Sequence, residues 1–83
     1  MMARVTHVVP IESIRQGATS DGAATLARLA AEHAEFEPNA IAELFPGGWV
    51  ATLVYRRPGH PNRISHAHVG LVWAPAESAR ATG

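Results

Sequence analysis

Trp49-Val50-Ala51-Thr52-Leu53-Val54-Tyr55, then Pro58-Gly59-His60-Pro61-Asn62, then Ile64-Ser65-His66-Ala67-His68-Val69-Gly70-Leu71-Val72-Trp73, is the stretch from which the fold is read. The outer runs are rich in β-branched and aromatic residues, and the segment between them collects residues that punctuate a turn. This pattern predicts a β-hairpin with a long loop. Side chains alternate along a strand, so a slip of one residue turns a whole set over. Trp49, Ala51, Leu53 and Tyr55 share one face of the first strand, and Ala67, Val69, Leu71 and Trp73 share one face of the second. These sets form the expected core face, and placing Trp49 opposite Leu71 and Ala51 opposite Val69 joins them. Arg56 then lies across from Ile64, with residues 57–63 as the loop. The other face carries Val50, Thr52, Val54, Arg56, Ile64, His66, His68, Gly70 and Val72. Half polar and half aliphatic, it is a candidate surface for contact with something outside the chain.

Upstream, residues 4–11 read as a first strand with Pro10 marking an edge or the strand's end. Its richer aliphatic face holds Val5, Val9 and Ile11 together with His7, which is therefore expected to be buried or half-buried. Residues 12–22 are polar and glycine-containing, and read as a connection ending in a helix cap at Ser20 or Asp21. Leu26, Leu29, Ala30, His33 and Phe36 recur at helical spacing, with Arg28, Glu32 and Glu35 towards solvent, and Pro38 ends that helix. His33 would then pack at the edge of the core. Asn39 can cap a further short turn that sends Ile41, Leu44 and Phe45 inward, before Pro46-Gly47-Gly48 swings the chain into the hairpin.

The expected fold is α+β, a small two-layer domain of β-α-β-β order with a three-stranded sheet packed on one main helix. Residues 1–74 form a single domain and residues 75–83, which have no large apolar residue, a flexible C-terminal tail. One layer of helix leaves the second sheet face uncovered. Because aliphatic residues lie there, a homodimer formed through sheet faces or edges is expected.

A chain of 83 residues has room for one small domain, and 47% hydrophobic with 17% charged residues places it among globular chains. Cysteine is absent, which excludes disulfides and thiolate metal sites. No stretch is apolar for long enough to cross a bilayer and Met1-Met2-Ala3-Arg4 lacks a signal-peptide core, so a cytoplasmic location without membrane contact is expected. Seven basic and seven acidic residues cancel, giving no global argument for nucleic acid. Their distribution is uneven: Glu12, Asp21, Glu32, Glu35, Glu37 and Glu43 precede the hairpin, while Arg56, Arg57 and Arg63 lie within it and no acid falls between Trp49 and Trp73. Every basic residue is arginine. With abundant alanine, this fits GC-rich coding as well as recognition chemistry.

Several constellations bear on function. Arg56, Arg57, His60 and Arg63 give a basic hairpin tip beside Tyr55. Two-stranded ribbons can enter a DNA major groove, and arginine makes bidentate contacts to guanine or phosphate. The plainer alternative is that these arginines pair with Glu35, Glu37 or Glu43. His66 and His68 lie on the same side of a strand, a spacing that suits two ligands of one metal ion. Zinc would need a further ligand from His7, His60 or a carboxylate, so no metal site is assigned. Ser65 adjoins His66 but points to the opposite face, which rules out a hydrogen-bonded nucleophile pair. Gly47-Gly48 and Gly59 do not build a phosphate-cradling loop, and no cofactor is assigned. Val9-Pro10-Ile11-Glu12-Ser13-Ile14-Arg15 resembles the opening strand of ParB-type partition and nuclease domains. Those domains then carry an arginine-containing helix motif after a glycine, whereas here Gly59-His60-Pro61-Asn62-Arg63 falls in a hairpin loop, and the likeness of seven residues carries no function with it.

The leading expectation is a small binding or regulatory module that contacts a macromolecular partner, protein or nucleic acid, through the arginine-tipped hairpin. The rival is a small enzyme or ligand-binding protein using His66, His68 and Arg56 on the open sheet face, with Arg56 holding an anionic substrate while an imidazole moves a proton.

Overall fold

The computed structural model describes residues 5–75. Chain order is β1 (Thr6–Pro10), α1 (Ile11–Gly17), α2 (Ser20–Ala31), β2 (Glu35–Phe36), β3 (Asn39–Phe45), β4 (Gly48–Arg57) and β5 (His60–Leu71). The fold is small and α+β, with two helices and an antiparallel five-stranded sheet in place of the expected one main helix and three strands.

β4 is the centre of the sheet. It pairs with β5 along one edge, in the register expected from the alternation: Trp49 faces Leu71, Ala51 faces Val69 and Leu53 faces Ala67. On its other edge β3 pairs Ile41 with Thr52 and Ala42 with Ala51, and β1 pairs with β3 beyond it, His7 facing Ala42. Tyr55 pairs with both Ser65 of β5 and Phe36 of β2, so β2 lies on the β3 edge. Between the Phe36–Tyr55 and Ile41–Thr52 pairs, the residues Glu37, Pro38, Asn39 and Ala40 stand opposite only Leu53 and Val54. Pro38 has no N–H to give the ladder, and its carbonyl instead accepts from the Ile11 N–H at 2.9 Å, fixing the start of α1.

The helices cover one face. Val9, Ala40, Ala42, Ala51, Leu53, Val69 and Leu71 are buried there against Ile14 and Leu26. Small alanines on β3 and β4 let the helices approach closely, and Ile14 and Leu29 are wholly buried. His7 is half-buried on this side with its ring 5.3 Å from that of Trp49, as the strand's faces predict. Pro75 is buried; the remainder of the expected tail lies outside the described residues.

Four local expectations are corrected. Residues 11–17 form α1 instead of a connection, with Ile14 and Gly17 buried. The N-cap of α2 is Thr19, whose hydroxyl accepts from the Gly22 N–H at 3.1 Å, so neither Ser20 nor Asp21 takes that place. The helix ends at Ala31, leaving Phe36 to a strand and His33 exposed at φ 61°. There the His33 N–H reaches the Ala30 carbonyl and the Ala34 N–H reaches that of Leu29, both at 3.0 Å, the two bonds of a Schellman ending with histidine at the position that glycine usually takes. Residues 39–45 are a strand, in which Ala40 and Ala42 point inward while Ile41, Leu44 and Phe45 are exposed.

The link between α1 and α2 is bonded to the outer edge of β5. The Val72 N–H donates to the Gly17 carbonyl at 2.8 Å and the Thr19 N–H to the Gly70 carbonyl at 2.9 Å. The Trp73 indole lies so close over Gly17 that a Cβ there would fall inside its ring. Gly17→Ala is therefore expected to destabilise the domain by about 1–3 kcal/mol, read by urea unfolding, and to change tryptophan fluorescence as the indole is displaced. His33→Gly is expected to stabilise it by about 0.5–1 kcal/mol, since glycine holds positive φ without a Cβ clash, while His33→Ala gives no such gain.

Candidate functional site

The hairpin tip is built differently from a long loop. Arg57 pairs with His60, leaving Pro58 and Gly59 as a two-residue turn in which Gly59 has φ 85°. Proline followed by glycine at positive φ is the order a type II turn requires. The surplus residues are absorbed one step earlier: Pro61, Asn62, Arg63 and Ile64 stand opposite Arg56 alone, between the Tyr55–Ser65 and Arg57–His60 pairs. The expected pairing of Arg56 with Ile64 is thus replaced by a bulge, and Pro61, lacking an N–H, favours it.

That bulge encloses an open depression of about 410 Å³ lined by Arg57, His60, Arg63, Ile64 and Ser65. Three of the four expected partner-binding residues therefore meet around one concavity, and Ser65, which the sequence offered only as a failed nucleophile, joins them. Arg56 does not. Alternation sets it on the opposite face from Tyr55, and its Nη1 donates to Glu37 Oε2 at 2.8 Å.

Arg57 is held from two sides. Its Nε donates to Glu32 Oε1 at 3.1 Å, and its guanidinium carbon lies 5.3 Å from the centre of the Tyr55 ring. Both are close enough for a charge-assisted hydrogen bond and a cation–π contact. The Glu32 hydrogen bond, with support from Tyr55, raises the Arg57 pKa above its ordinary value. Glu32 also receives Arg28 at 3.5 Å. Among the described residues Arg63 has no ion-pair partner. Of the acids that the sequence offers as partners, Glu37 is one, paired with Arg56; Glu32, which pairs with Arg57, is not among them.

The open sheet face bears His66 and His68, both exposed. His68 Nδ1 and Thr52 Oγ1 are 3.2 Å apart, and a second depression of about 300 Å³ is lined by Glu43, Phe45, Val50, Thr52 and His68. Neither His66 nor Arg56 lines it. The place of Glu43 and Phe45 on this face follows from residues 39–45 being a strand, not the short turn that the sequence suggests. Across this face Val8 is 60% exposed, Ile64 55%, Phe45 48% and Ile41 45%, and those fractions mark exposed apolar side chains among polar ones instead of a second core.

Among the described residues no three His, Cys, Asp or Glu side chains gather as a metal site. His7 lies beside Trp49 on the helix side of the sheet, and His60 is at the tip, so neither joins His66 and His68. No helix of the described residues is long and apolar enough to cross a membrane. Comparison with family models, with curated proteins and with solved structures finds no match.

Proposed function

We propose that this chain is a small binding module that contacts a protein partner through its arginine-tipped hairpin. What supports this reading is the gathering of Arg57, His60 and Arg63 around one open depression at the end of the sheet. Protein is favoured over nucleic acid because Glu37 and Glu32 already pair with Arg56 and Arg57, and because apolar side chains are exposed on the adjoining open face. Phosphate backbones are gripped by uncompensated positive charge, and here two of the three hairpin arginines are compensated within the chain. The enzyme reading has weaker support, since His66, His68 and Arg56 share no depression among the described residues.

A second copy of the chain is the partner we propose for the open sheet face. Val8, Ile41, Phe45 and Ile64 are exposed there, and Val50 and Val54 are half-buried between them. Sheet faces of this kind pack against one another in sandwiches. A dimer mass by light scattering at high micromolar concentration is the expected result, with Val54→Glu giving the monomer. A monomer mass for the unaltered protein would remove the self-association.

For the tip, affinity capture with the intact chain is compared with a variant carrying Arg56→Ala, Arg57→Ala and Arg63→Ala. The expected outcome is a set of captured proteins lost from the variant and insensitive to nuclease, with no DNA or RNA binding near about 50 mM salt. Salt-sensitive binding to duplex DNA, with a log–log slope approaching about −3 that the triple variant abolishes, would overturn the protein reading in favour of nucleic acid.

A further inference from the structure

The bulge in β5 has the composition of a receptor for one chemical group. Its lining supplies two guanidinium groups from Arg57 and Arg63, the imidazole of His60 and the hydroxyl of Ser65, and includes no carboxylate. Ile64 adds an aliphatic wall, 55% exposed and so unclaimed by the core. We propose that this depression is a binding site for a single oxyanion, a carboxylate or a phosphate, carried on a small organic body. The inference deepens the partner-binding reading of the tip and rests on it for its biological setting, although its chemistry can be tested without any partner.

Hydrogen-bond donors and their availability point to an anion. Arginine carries five N–H donors in a fixed fork. The Glu32 carboxylate takes the inner one of Arg57, at Nε, and the Tyr55 ring lies against the guanidinium. The terminal nitrogens are left for a ligand in an orientation already set by those two contacts. Arg63 has no ion pair among the described residues, so its whole fork is available. Planar oxyanion recognition by two arginines and a hydroxyl is the arrangement that charge-assisted, bidentate hydrogen bonds favour. Among the described residues Glu32 is the acid paired with this cluster, and its charge is shared between Arg57 and Arg28, which leaves the lining with positive excess.

Size and wall character decide what carries the anion. About 410 Å³ is more than a bare phosphate or carboxylate needs and lies at the low end of the range of small-ligand sites, about 300–1,000 Å³. The space beyond the anion is bounded by Ile64, so the body attached to it has an apolar part, as an acidic or phosphorylated side chain does. The second depression, lined by Glu43, Phe45, Val50, Thr52 and His68, has an acid in its wall and lacks arginine. It serves as an internal contrast.

The test is a titration of the full chain, labelled with ¹⁵N, with inorganic phosphate and separately with acetate, against chloride at equal ionic strength. Saturable shifts are expected in the amides of residues 57–65 and in the Nε–H signals of Arg57 and Arg63, with Arg63→Ala weakening the binding by about tenfold. Ser65→Ala, a smaller change outside the ion pairs, is expected to weaken it less, by about threefold. Saturation by phosphate alone points to a phosphorylated ligand, by acetate alone to a carboxylate, and by both to either source; each of these supports the site. Shifts that are linear, that chloride reproduces, or that Arg63→Ala leaves unchanged overturn it. If capture of proteins depends on the tip while no anion saturates the depression, this inference fails and the partner reading stands. If an anion saturates it while capture is indifferent to the tip, the reverse holds.

Discussion

The structure depends on β4 being hydrogen-bonded along both edges. Gly48–Arg57 is the one strand that meets β5 on one side and both β2 and β3 on the other, so its alternation assigns every neighbouring residue to a face. Its inward residues Ala51, Leu53 and Tyr55 are buried. Ala51 stands between Ala42 and Val69, and this row of small side chains makes the shallow trough into which the helices settle. Few large side chains are wholly buried, among them Val9, Ile14, Leu29, Leu53 and Val69. Each contributes about 1.5–3 kcal/mol, and against the ordering of the whole chain that leaves a narrow margin. A displaced Trp73 or a strained helix end is therefore a large fraction of the total stability.

The edges of this sheet are handled unequally, and the site follows from that. An unpaired strand edge is a template for association. Near Leu71 the outer edge of β5 is occupied by the Gly17–Thr19 link, through the bonds to Val72 and Gly70. Towards the tip the strand instead bulges at Pro61–Ile64, which breaks the regular line of donors and acceptors that another strand would need. The irregularity that blunts the edge also opens the depression between Arg57 and Arg63. Protection of the fold and concavity of the surface have one cause.

The hairpin was legible because two tryptophans and a run of alternating aliphatic residues fix faces that no other register satisfies. The first strand was legible only in part: Val9 is buried and His7 half-buried on the expected face, whereas Val5 is exposed and Ile11 opens α1. The other elements were not, each for a physical reason. α1 is seven residues long and its N-cap Pro10 makes no side-chain bond, so it has no start signal and depends on burial of Ile14 and contact with Trp73. The end of α2 was hidden because His33 and Phe36 continue the spacing of Leu26 and Leu29, while the residue adopting positive φ is a histidine and not a glycine. In β3, Ile41, Leu44 and Phe45 have the i, i+3, i+4 spacing of a helix, but the residues that matter for packing are Ala40 and Ala42. Pairing with β1 on one side and β4 on the other overrides that local pattern.

Arg56 and Arg57 show how much of the site lay beyond the sequence. As neighbours in a basic run they read as one patch, yet alternation separates them, one to Glu37 and the other to Glu32 and Tyr55. Exposed ion pairs of this kind are screened by solvent and contribute too little to hold the fold together. Their consequence is positional. A guanidinium fixed by a carboxylate at Nε and an aromatic ring beside it has already lost much of the side-chain freedom that binding would otherwise remove. Arg63, on the bulge and without such partners among the described residues, keeps its freedom. The depression thus combines one preset cation with one adaptable cation, which suits recognition of an anion whose carrier varies in shape.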